Sequence, residues 1–328
     1  MGGNLAKTPL TAACYAALFY FTLEMLPWSE GFLQKTQGFV MPTTGYLLII
    51  GYGLWVSLAL ALLWSGANAK GLKLLLPALV SLLGLQWVLP LLRQMLFGEV
   101  TGVMTQPDTL LLLAAGCIAG VLLLVLALLL FSGGVQAQGK PALPAKATAK
   151  YKIKPLGLII RVLVLPVIFC VLYFLLYYLL LWPNAAARAY YGGVENQGII
   201  AEVIYMLLNN ARMVPMVLCE GLLAVLCAIP LMMQLQAKRG LYIVVNTMLC
   251  ASGALLMFLP GPLMQDAVRI SHFITFLAIY APYGAFSAFL LHTGLSKIPP
   301  PPTPPPAPAV PAASAARPGA PAGVKRLQ

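Results

Sequence analysis

The chain has 328 residues, 61% of them hydrophobic and 9% charged, with a mean hydropathy of +0.90. Soluble domains carry about 25% charged residues, so this composition excludes a soluble globular protein and points to a polytopic membrane protein. The net charge of +12 does not call for nucleic acid, because no soluble segment is long enough to fold into a reading domain.

A transmembrane helix needs about 20 mainly apolar residues. Eight stretches qualify, at about 9–27, 44–65, 72–92, 109–131, 157–182, 213–233, 241–263 and 270–292. The first contains Leu10-Thr11-Ala12-Ala13-Cys14, which looks like a lipoprotein cleavage site, but the apolar run follows it instead of preceding it. It therefore reads as a retained first helix. Pro77 and Pro90 in the third stretch, and Pro260 and Pro262 in the seventh, would kink or end a helix unless neighbours satisfy the freed backbone. Ala115, Gly116, Ala119 and Gly120 in the fourth stretch, and Ala281, Gly284, Ala285 and Ala288 in the eighth, predict close helix approach within the bundle or to another subunit.

The stretches fall into two membrane halves, residues 1–131 and 157–297, separated by a basic Gly-, Pro- and Ala-rich linker at 132–156. Four helices in the first half give both halves the same orientation, as a parallel repeat requires. Gly51 with Gly221, and Leu89-Pro90 with Leu259-Pro260, match at a constant offset. Lys70-Gly71-Leu72 and Arg239-Gly240-Leu241 match one residue out of step, and coincidence among Leu-rich helices is the competing explanation. Residues 298–328 contain PPPPTPPPAPAVP, which buries no core and predicts a disordered, extended tail, with Lys325 and Arg326 available to anionic lipid.

With the N-terminus cytoplasmic, 15 of the 20 Lys and Arg residues fall on the cytoplasmic side and no acid joins them. The positive-inside rule then predicts both termini inside, in a bacterial inner membrane. On the outer side, Glu195, Gly198, Glu202, Tyr205 and Asn209 recur at spacings of 3 and 4, predicting an amphipathic helix near 195–209. Its acidic stripe is a candidate partner-docking face; a helix simply packed on the outside is the alternative.

Polar residues inside the spans are few. Glu220 lies about 10 Å into the sixth span at 1.5 Å per residue. An acid in lipid must face the bundle interior, pair, or bind a proton. Glu24, Gln86, Arg93, Arg269 and His272 fall in the outer halves of other spans, so the six together define a candidate outward-opening polar cavity. Arg93, Arg269 and His272 are the candidate partners of the acid.

Enzyme signals are weak. Cys250-Ala251-Ser252-Gly253 shares only its Ser-Gly pair with the serine motif of rhomboid-like intramembrane proteases, and no HExxH or Walker A sequence occurs. The six cysteines all lie in apolar runs without CxxC spacing and read as buried hydrophobes, and His272 and His292 share one helix instead of facing each other. No cofactor or metal is expected. The expected function is a non-enzymatic membrane subunit of a multi-protein complex. The alternatives are a small-solute or ion transporter with Glu220 as its proton or cation site, and a lipid-active enzyme.

Overall fold

The computed structural model describes residues 2–27, 29–69, 71–89, 106–132, 151–190, 198, 200, 201, 204, 208, 212–260 and 264–297. It is almost entirely helical. After a single turn at Gly2–Leu5 the helices are α1 (Thr8–Glu24), α2 (Glu30–Thr36), α3 (Thr43–Gly66), α4 (Leu72–Leu83), α5 (Gln106–Ser132), α6 (Pro155–Leu176), α7 (Ala185–Tyr190), α8 (Met213–Gln234), α9 (Arg239–Leu256) and α10 (Asp266–His292). π-helical turns extend α4 over Gly84–Val88 and α6 over Tyr177–Leu181.

Six helices are long and apolar enough to cross a membrane: α3, α5, α6 with its π turn, α8, α9 and α10. They make the chain a multi-pass membrane protein. The other two expected spans are α1, with 17 residues, and the shorter apolar helix Leu72–Val88. Side-chain contacts show how far α1 reaches. Near its start the Lys7 ammonium donates to the Leu130 carbonyl at the end of α5, and past its end Ser29 binds Asp108 in the first turn of α5. α1 and its exit turn thus run antiparallel along nearly the full length of a membrane-length helix.

The prolines act as their position dictates. Pro77 lies inside α4 and Pro166 inside α6, both tolerated because packed neighbours hold the helix together. The seventh stretch stops earlier than expected: α9 ends at Leu256, and Met257, Phe258 and Leu259 turn off through i→i+3 bonds before Pro260.

Level ends fix the frame. The Asn68 amide donates to the Gln234 carbonyl, and His292 Nε2 faces the Gln236 carbonyl at 2.9 Å, so α3, α8 and α10 finish at one end. Lys7, Lys73, Lys154, Arg161, Lys238, Arg239 and Lys297 gather there, with no acid among the described residues. Glu24, Glu30, Asp108, Asp266 and Arg269 lie at the other end. At the basic end, Tyr151–Ile153 (β1) pairs antiparallel with Leu295–Lys297 (β2), so the last residues of the expected linker are tied to the residues just before the tail.

The two halves share one contact plan. α1 packs on α3 and α5 as α6 packs on α8 and α10; α4 packs on α5 as α9 packs on α10; α3 crosses to α9 as α8 crosses to α4. The small residues serve these internal contacts. A Cβ on Gly116 would lie 2.2 Å from the Trp87 ring, one on Gly120 would lie 2.5 Å from Leu83, and one on Gly284 would lie 2.8 Å from Cys250. Of the expected external helix, Ile200, Ala201, Ile204 and Leu208 are helical, and Ile200, Ile204 and Leu208 are exposed. Glu195, Glu202, Tyr205 and Asn209 lie outside the described residues, as do Arg93, Lys325 and Arg326.

Candidate functional site: a polar file beside Glu220

Glu220 shares the inward face of α8 with Val217, Gly221 and Ala224 and is fully buried. Positions 217, 220, 221 and 224 fall on one side of a 3.6-residue helix, so the register that buries the apolar neighbours also takes the acid away from lipid. Its Oε2 accepts a hydrogen bond from the Tyr280 hydroxyl on α10 at 3.3 Å.

The next residue builds the walls. Gly221 lets α6 come so close that an added Cβ would lie 2.9 Å from both the Pro166 Cα and the Phe169 Cβ. That approach sets the Phe169 ring 5.6 Å from the Tyr280 ring and 4.7 Å from the Tyr283 ring. The Tyr283 hydroxyl in turn donates to the Gly221 carbonyl at 3.1 Å. The acid therefore sits on a helix position whose backbone is fixed from two sides.

Depth changes the picture drawn from sequence. Glu220 is about 10 Å from the start of α8, but its partner Tyr280 is 14 residues, or about 21 Å, from the start of α10. Counted from the basic end, Glu220 stands about 21 Å up α8 and Tyr280 about 18 Å up α10. Gln86 on α4, Ser252 on α9 and Tyr52 on α3 stand about 20–21 Å up theirs. All five are buried. The contact with Tyr280 thus sets Glu220 near mid-depth, deeper than an outward-opening cavity requires.

A second pattern runs along the bundle. His272, Thr275, Tyr280, Tyr283 and Ser287 are buried on one face of α10. Their order carries polar groups from near the acidic end, past Glu220, toward the basic end. His272 Nδ1 lies 2.7 Å from the Val268 carbonyl, so that nitrogen carries a proton. The Thr275 hydroxyl has no hydrogen-bond partner among the described residues. From α9, Asn246 donates to the Gly284 carbonyl at 2.8 Å and reaches the Ser287 hydroxyl at 3.5 Å, while its Oδ1 is buried and unpartnered among the described residues.

The structure distributes the residues singled out from sequence. His272 joins Glu220 along this file. Gln86 on α4 has both amide atoms buried and unpartnered among the described residues. It sits in the π-helical turn, a distortion found often at functional sites. Arg269 is engaged at the acidic end, where it pairs with Asp266 at 2.8 Å and donates to the Phe258 carbonyl. Glu24 is exposed at the end of α1. Tyr280, Tyr283, Thr275 and Ser287 join these residues, and their spacing from His272 repeats one helical face.

Among the described residues, no group of three or more His, Cys, Asp or Glu side chains is placed to hold a metal ion. Comparison with protein-family models, with curated proteins and with solved structures finds no match to this chain.

Proposed function

We propose that this protein is a membrane transporter for a small solute or ion, with Glu220 as its proton or cation site. The observation that carries the reading is the buried carboxyl at mid-depth, set beside a file of polar side chains that continues toward both ends of the bundle. An ionised carboxylate in a low-dielectric interior is costly, so the group lowers its free energy by taking up a proton or a cation. Thr275 and His272 lead from it toward the acidic end, and Tyr283, Asn246 and Ser287 toward the basic end. Ion-binding carboxyls that face a bundle interior are the ordinary way membrane helices use charge.

The architecture of this reading is eight spans, with α1 and Leu72–Val88 completing the six long helices. Both termini are cytoplasmic and the basic end faces the cytoplasm of a bacterial inner membrane. The shared contact plan of the halves supports a parallel tandem repeat.

The test is proton flux in proteoliposomes loaded with a pH-sensitive dye and energised by a potassium diffusion potential. The wild type acidifies the lumen, and Glu220→Gln lowers the rate at least tenfold. Equal rates in the two proteins overturn the proposal.

The exposed apolar stripe of Ile200, Ile204 and Leu208 favours a second reading, a subunit of a membrane complex that docks a partner there. It predicts a stoichiometric partner that co-purifies in mild detergent and is lost on deleting residues 195–209.

A further inference from the structure

At the basic end, the start of α9 carries two adjacent cations, Lys238 and Arg239, and both side chains are exposed. Neither makes a salt bridge or a side-chain hydrogen bond among the described residues. A helix start is a poor place for positive charge, because the macrodipole and the free N–H groups of the first turn already make it positive. α9 has no acid in that turn and no side chain caps it. Gly240 leaves the turn open, since an added Cβ would meet nothing within 4 Å. Two cations on an open helix start concentrate positive potential with no counter-charge among the described residues.

The Arg239 guanidinium is nonetheless held in place. Its central carbon stands 4.1 Å from the centre of the Phe289 ring on the last turn of α10. Stacking on a ring occupies the flat face of a guanidinium and leaves its in-plane N–H edges to donate. Phe289 is 44% exposed, and Phe286, 43% exposed, continues the same face of α10 to the exposed Pro282. That apolar stripe runs about 10 Å into the span at 1.5 Å per residue. The surface thus offers a charged donor fork at the level of the helix ends and an apolar track leading from it toward the membrane centre. This order matches an amphiphilic anion lying along the helices. A ligand on the outer face of the bundle needs no enclosed cavity.

We propose that Lys238, Arg239 and Phe289 form a binding site for an anionic phospholipid, whose phosphate accepts from the guanidinium edge and the Lys238 ammonium and whose acyl chain lies over Phe289, Phe286 and Pro282. The site is independent of Glu220.

The experiment titrates the full chain in mild detergent with phosphatidylglycerol or with phosphatidylcholine of the same chain length, read by native mass spectrometry. Phosphatidylglycerol is expected to bind about tenfold more tightly, and Arg239→Gln to remove most of that preference, the effect of a charge-assisted hydrogen-bond pair. Phe289→Ala keeps every charge and is expected to weaken binding about two- to fivefold through the lost stacking contact. Lys73→Gln removes an exposed cation from the start of α4 at the same end and is expected to leave the preference unchanged. Thermal unfolding supplies the second readout: phosphatidylglycerol raises the melting temperature of the wild type and not that of Arg239→Gln. Equal losses from Arg239→Gln and Lys73→Gln show a general attraction to a basic surface and overturn the proposal, as does equal binding of the two lipids. Displacement by glycerol phosphate as effective as by the lipid assigns the cations to a small anion and overturns it as well.

Discussion

The two halves of the bundle follow the same contact plan and carry different chemistry. α5 and α10 close them in equivalent positions, yet beyond its first turn α5 buries Ala115, Ala119, Leu123, Leu124, Ala127 and Phe131, whereas α10 buries His272, Thr275, Tyr280, Tyr283 and Ser287. Among the described residues, each half also contains one fully buried acid. Asp108 sits in the first turn of α5, where the helix dipole favours negative charge, and accepts from the Ser29 amide at 2.9 Å and its hydroxyl at 2.7 Å. Glu220 lies seven residues into α8, far from any helix end, and meets the Tyr280 hydroxyl at 3.3 Å. Burial alone therefore does not mark a functional acid. What separates the two is position: Asp108 sits at a helix start and Glu220 in a helix interior at mid-depth.

The comparison breaks most sharply at the acids. Glu220→Gln is expected to lower proton flux at least tenfold while leaving the melting temperature unchanged or raised, because a neutral amide replaces a buried carboxyl. Asp108→Ala is expected to do the reverse, costing about 1–3 kcal/mol in denaturant or thermal unfolding with flux per folded molecule retained. The glycines matched between the halves sharpen it further. Gly221→Ala forces α6 and α8 apart and is expected to cost about 1–3 kcal/mol. Gly51→Ala meets nothing within 4 Å and stays within about 0.5 kcal/mol of wild type. Tyr280→Phe falls between these two. Losing one hydroxyl from the file is expected to slow flux about fivefold, the equivalent of one hydrogen bond.

Much of the architecture was legible in the sequence. Apolar length alone located the long helices, because a membrane leaves backbone groups no partner outside the helix. Arg239–Leu256 ended short of expectation because the chain turns at Met257–Leu259, ahead of the first proline of Pro260-Gly261-Pro262. The β1–β2 ladder was not legible: three residues of a basic linker carry no strand pattern, and only the return of α10 to the same end supplies a partner. At the site, Glu220 and His272 stood out as polar residues in greasy runs. The depth of Glu220 did not, because α8 starts lower in the bundle than α10 and sequence counts each helix from its own end. Arg269 reads from sequence as a partner for the acid, but Asp266, three residues before it on the same helix, holds it. Tyr280 and Tyr283 carry no such signal, because tyrosine in a span reads as an interface or core residue until a facing group gives its hydroxyl something to do.

The most direct test of the difference between the two acids is site-resolved labelling with a lipid-soluble carbodiimide, which reacts with protonated carboxyls, read by mass spectrometry on the intact membrane protein. The account predicts modification of Glu220 and protection of Asp108, whose two oxygens are held by Ser29. Labelling of Asp108 with Glu220 untouched would contradict it.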